Sequence, residues 1–117
     1  MIPLPDMSER RSATRVQVNL PARYASEVAS LSGWVSNLSR SGLFLRSQYL
    51  DDRGSEVDIS FDLPGESQPV SVRGRVVRVH DSPLCPGMAI RFTQVSDRVR
   101  RRLADFMVLR SRKLANS

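Results

Sequence analysis

Strict two-residue alternation constrains this chain more than any other feature. In "SEVDISFDL", Val57, Ile59, Phe61 and Leu63 alternate with Glu56, Asp58, Ser60 and Asp62. An extended backbone therefore puts the apolar side chains on one face and the polar and acidic ones on the other. The same period recurs at Val16, Val18 and Leu20 in "VQVNLPARY" and at Leu43 and Leu45 in "GLFLRS", and "SGWVSNLS" between them is a further candidate strand. The period returns at Val70 and Val72 in "VSVRGRVVRV" and at Met88, Ile90 and Phe92 in "MAIRF". Turn clusters such as "LPGESQP" and "SPLCPG" separate these runs. In the Val-rich run the apolar face shifts to Val77 and Val79 after Gly74 and Val76, which predicts a β-bulge near Val76 and Val77. Pro21 lacks an N–H for a neighbouring strand and predicts an edge or a bulge there. Six short strands with turns between them predict a mostly-β fold, an antiparallel barrel or sandwich.

The spacing changes at Ser96. Val99, Leu103, Phe106 and Met107 form a helical stripe, Ser96 suits the N-cap, and Asp97 suits the positive first turn, so a helix over about 96–114 is predicted to pack on the strands. At the other end "MIPLPDMSE" has two prolines and no packing face, which predicts an arm that stays mobile until something orders it. The expected organisation of the 117 residues is one domain, with residues 1–15 as a flexible arm and 16–117 as barrel plus helix. Cys85 is the sole cysteine and there is no apolar leader, so a cytoplasmic location is expected. No apolar run approaches the roughly 20 residues of a membrane-spanning helix.

The net charge of +6 is unevenly placed. Residues 16–90 carry seven basic and eight acidic groups, whereas 91–117 carry eight and two. A basic helix suggests an anionic partner and is equally ordinary solubilising charge. Catalysis finds little support. His80 and Cys85 stand five apart with no second pair to complete a zinc site and no triad pattern, so His80 is expected at a strand end facing water and Cys85 as a small hydrophobe. The carboxylates of the Glu56 to Asp62 strand are expected to form a solvated outer face rather than an acid–base pair. No enzyme activity, metal or cofactor is expected. Trp34 is expected to pack in the core or at a barrel end.

Two short stretches are better equipped. "RRSATR" carries Arg10, Arg11 and Arg15, and a guanidinium grips phosphate bidentately, donates twice to the O6/N7 edge of guanine, and stacks flat on a purine. Alone, such a spacing is also the mark of a solvated basic arm. In "NLSRSG", Asn37 and Ser39 are two apart and share a face if extended; Asn37 both accepts and donates, and Ser39 adds a hydroxyl. Gly42 would allow a positive φ and close approach of a ligand to the backbone. Alone, this is also a good hairpin turn.

In this order the two stretches resemble the signature of the PilZ domain family, RxxxR followed after one strand by [D/N]xSxxG. Here these are Arg11-x-x-x-Arg15 and Asn37-x-Ser39-x-x-Gly42. The strands and helix that follow extend the resemblance over most of the chain. The resemblance implies a six-stranded antiparallel β-barrel with a C-terminal helix, and a receptor for cyclic di-GMP rather than an enzyme. Arg11 and Arg15 would then clasp phosphates and guanine edges, Asn37 and Ser39 would meet a guanine, and Gly42 would shape the turn. An arginine at the position of Arg10 goes, in similar proteins, with a stacked pair of ligands. Asn37 stands where many members have Asp, without the charge that strengthens a bond to guanine N1–H. The expected mechanism is ordering of the arm on binding, read by a downstream protein partner. Two alternatives stay open: a nucleic-acid-binding barrel using Arg98, Arg100, Arg101, Arg102, Arg110, Arg112 and Lys113, and an interaction adaptor without a ligand. The nucleic-acid reading lacks aromatics interleaved with that basic run.

Overall fold

The structure, a computed structural model, describes residues 15–115, with side chains as far as Arg110. Arg10 and Arg11 lie outside the described residues. Six strands follow one another: β1 (Val16–Ala25), β2 (Ser30–Leu38), β3 (Gly42–Arg46), β4 (Glu56–Phe61), β5 (Val70–His80) and β6 (Gly87–Gln94). Every pairing is antiparallel, and the order β1-β2-β3-β6-β5-β4 closes into a barrel. Closure follows from the alternation: each strand has one apolar face, and wrapping the sheet on itself buries all of them without leaving an unpaired edge. Val35, Leu38, Leu45, Val70 and Met88 are fully buried inside.

Among the described residues one helix, α1 (Asp97–Ala115), completes the fold against β1 and β5. Its cap is as predicted. The Ser96 hydroxyl accepts from the Val99 N–H at 3.2 Å, and the Ser96 carbonyl accepts from the Arg100 N–H at 2.9 Å. Leu103 and Met107 are buried in the barrel core, with Val99 and Phe106 packed beside them. Polar contacts anchor both halves of the helix. Arg102 donates to Glu66 at 2.7 Å and to the carbonyl of Pro69 at 3.3 Å in the β4–β5 turn. Arg110 lies over the Phe106 ring at 5.8 Å and donates to the Gln17 carbonyl of β1 at 3.0 Å.

Local irregularities differ in part from expectation. The bulge expected in β5 is present, with the register shifting between Val76 and Arg78. Val77, however, is exposed and only Val79 turns partly inward, because the bulge leaves Val77 and Arg78 both on the outer side. β1 has a register shift between Gln17 and Leu20, immediately before Pro21. Pro21 lies just outside the β1–β4 ladder, which begins at Ala22, so its missing N–H disrupts no bond on that side. Cys85 is exposed rather than packed as a small hydrophobe, because the β5–β6 turn holds it at the surface. His80 is exposed at the end of β5, as expected, with its ring edge-on to Phe44.

Candidate functional site

The β1–β2 ladder brings the last residue of the first stretch, Arg15, to the second. Val16 pairs with Leu38 and Gln17 with Asn37, so Arg15, one residue before Val16, stands beside the start of the β2–β3 turn. Its side chain is exposed. Of the expected site, Arg15, Asn37, Ser39 and Gly42 are thus gathered at one end of β1 and β2.

Ser39 is not an extension of the strand. β2 ends at Leu38, and Ser39 is buried within the turn with 4% of its surface exposed. Its hydroxyl accepts from the N–H of Gly42 at 3.1 Å and of Ser41 at 3.2 Å, and donates to the Gly42 carbonyl at 3.2 Å. A backbone bond from the Ser39 N–H to the same carbonyl closes the loop at 2.9 Å. A short hydroxyl thereby satisfies backbone groups that a tight turn would otherwise leave unpaired. The Ser41 carbonyl accepts from the Phe92 N–H at 2.8 Å and fixes the turn to β6.

Gly42 also has a different reason for being glycine than expected. Among the described residues, positive φ occurs only at Gly54 and Gly65. At Gly42 a Cβ would instead collide with the Ile90 carbonyl of β6. The glycine allows the close β3–β6 approach that begins at Gly42↔Arg91.

Asn37 is half-buried and points outward because of a bulge. The β2–β3 register runs Trp34↔Arg46, Val35↔Leu45, then Asn37↔Phe44 and Leu38↔Leu43, leaving Ser36 as the extra residue. Val35 and Leu38 both face the core, three apart, where plain alternation would put them on opposite sides. The same shift places Trp34 and Asn37 together on the outer face. Trp34 is not core: 48% of its surface is exposed, between Pro21 on β1 and Arg46 on β3. The expectation of burial rested on the residue type, but Val35 occupies the inward position and its neighbour must point out. Sequence alone did not decide between the two: with Leu38 inward, plain alternation turns Trp34 inward as well, and the bulge fixed by pairing with β3 is what turns Val35 in and Trp34 out. Phe44, opposite Asn37, completes a partly apolar outer surface and sits against the backbone of Gly87, where a Cβ would meet its ring at 2.5 Å.

Several charged groups away from this turn are paired with one another. On the outer face of β4 and β5, Arg73 pairs with Asp58 and Arg75 with Glu56, each at 3.1 Å between direct register partners. The acidic face is thus solvent-exposed and matched by arginines on the next strand. Asp51 is buried and accepts from the hydroxyl of Tyr24 and, at 3.0 Å, from that of Tyr49. Burial opposes its charge, but the hydroxyls of Tyr24, Ser26 and Tyr49 outweigh that and hold its pKa below the ordinary carboxylate value. Burial and the bond to Asp51 push the Tyr24 phenol upward. This network joins β1 to the β3–β4 connection and lies away from the Asn37 turn. No group of three potential metal ligands occurs among the described residues, and no helix is long and apolar enough to cross a membrane.

Comparison with known proteins agrees with this architecture. The family model "PilZ domain" matches residues 9–109, a span that includes Arg10, Arg11 and the turn. The chain belongs to the PilZ domain family. No protein of curated function matches the sequence. Among solved structures, the Bacillus subtilis inhibitor of motility (MotI/DgrA) superposes with a TM-score of 0.79 at 16% identity, covering 89% of this chain and 52% of that one. This chain therefore spans about half the length of MotI/DgrA. The PilZ domain of YcgR from Escherichia coli, solved with c-di-GMP, superposes with a TM-score of 0.69 at 16% identity over 92% of this chain and 95% of that one. The PilZ domain of CeSA from a cellulose-synthesizing bacterium gives 0.61 at 16% identity, covering 79% and 92%.

Proposed function

We propose that this protein is a cyclic di-GMP receptor that binds the dinucleotide on the outer face formed by the start of β1, β2 and the β2–β3 turn. One observation carries the reading: a family barrel whose β1–β2 ladder sets Arg15 beside the Asn37 turn. The c-di-GMP-bound PilZ domain of YcgR shares the fold.

In this reading Arg11 and Arg15 hold phosphates and the O6/N7 edges of guanine, and Arg10 extends the grip to a second ligand. Asn37 accepts from a guanine N–H on the barrel surface. Ser39 and Gly42 act mainly by holding the turn, so that Asn37 and the Ser41 and Arg40 backbone keep their positions. Closure of residues 1–15 over the ligand is the signal, read by a protein partner at the altered surface. The basic helix is a weaker candidate for the anion site, since Arg102 and Arg110 already hold it to the barrel.

Isothermal titration of the full chain with cyclic di-GMP tests this, with GTP as control and the Arg11→Ala/Arg15→Ala double variant alongside. Saturable heat in the native chain alone, at one or two ligands per chain, is expected. No heat at about 100 μM ligand, binding weaker than roughly −5.5 kcal/mol, contradicts the reading and favours nucleic acid or a protein partner.

A further inference from the structure

The outer face at Asn37 holds a feature that the family signature does not describe. Trp34 is a large aromatic side chain left 48% exposed; among the described residues the other large hydrophobics left exposed are Val28, Tyr49, Val77, Leu84, Val108 and Leu109, none of which lies on β2. It shares a face with Asn37 only because Ser36 is bulged. Three strand residues span about 10 Å, within which two side chains of one face can meet the same small molecule. Pro21 on one side and Arg46 on the other flank the indole in register. Pro21 and Arg46 are both exposed, so the indole is flanked by a compact apolar ring and by a cation at the same level.

We infer that Trp34 is a base-stacking platform, a ligand-binding residue that covers one face of a guanine whose edge is held at Asn37. The inference rests on the cyclic di-GMP reading of this site. Its physical basis is that every purine has a π face, and an indole matches it in area while its rigid ring loses little entropy on contact. Asn37 reads an edge, and an arginine that stacks on the same guanine covers only one of its two faces, which leaves the other for the indole. The bulge at Ser36 turns the strand so that both groups serve one ligand, as bulges next to binding sites commonly do.

Trp34 is the sole tryptophan of the chain, so its emission reports on this position alone. The test titrates cyclic di-GMP into the full chain, following heat and, with excitation at the red edge where tyrosine does not absorb, Trp34 emission. Stacking predicts quenching that saturates together with the heat. Trp34→Ala is expected to bind about tenfold more weakly at unchanged melting temperature, and Trp34→Phe to stay within about threefold of the native chain. Heat without any change in emission, or undiminished affinity in Trp34→Ala, overturns the platform and leaves the receptor reading intact. Absence of heat in the native chain overturns the receptor reading itself, and the platform with it.

Discussion

Single residues at the turn divide into those that shape it and those that face outward. Gly42→Ala must push the β3–β6 ladder apart at Ile90, and a loss of about 2 kcal/mol is expected from such overpacking. Thermal unfolding checks this, and a variant as stable as the native chain contradicts it. Asn37→Asp restores a charged acceptor without altering the backbone. Charge-assisted bonds are the stronger kind, so cyclic di-GMP should bind about fivefold more tightly to this variant by calorimetry. At this scale the sequence named Asn37, Ser39 and Gly42, but not why Gly42 is glycine. A collision with a strand nearly fifty positions away is set by the fold and not by neighbouring residues. Trp34 was misjudged for a related reason. Its size argued for burial, while its position next to an inward Val35 decided for exposure.

The elements were legible where one period held and less so where it broke. Strands β1 and β3 to β6 and the capped helix follow from alternation and helical spacing, because each apolar stripe has only one way to reach the core. Bulges interrupt that logic by one residue. The shift in β5 was visible as a change of apolar face, yet Val77 emerged outward because a bulge turns two consecutive residues to the same side. The bulge at Ser36 left no comparable trace in "SGWVSNLS" and needed the pairing with β3 to locate it. The helix anchor was likewise hidden, since Arg102 looked like one cation in a basic run. Its bonds to Glu66 and two carbonyls of the β4–β5 turn predict that Arg102→Ala loses about 1–2 kcal/mol. Arg101→Ala, on the exposed side of the same helix, should be neutral within about 0.5 kcal/mol in the same denaturation experiment.

For the whole molecule, part of the stability rests on a region of the barrel away from the Asn37 turn. The Tyr24–Asp51–Tyr49 network links β1 to the β3–β4 connection, and its carboxylate is held below its ordinary pKa. A depressed folded-state pKa gives stabilisation that is present above the unfolded value, about 4, and is lost as pH falls through the folded value. Asp51→Asn is therefore expected to be less stable by about 2 kcal/mol at neutral pH. The gap to the native chain should narrow below about pH 4, when Asp51 itself takes up a proton. A gap that stays constant with pH contradicts the charged role of Asp51. None of this involves the outer face at Asn37, so binding and folding should be separable by mutation.

The central claim is that one outer face, from Arg15 through Asn37 to Trp34, receives the dinucleotide. The most direct measurement is the amide ¹H–¹⁵N spectrum of the full chain titrated with cyclic di-GMP. Shifts concentrated at Arg15 to Gln17 and Trp34 to Arg46, with the outer face of β4 and β5 around Asp58 and Arg73 unmoved, are predicted. Shifts confined to α1 or to the Asp58 face, or an unchanged spectrum, would contradict it.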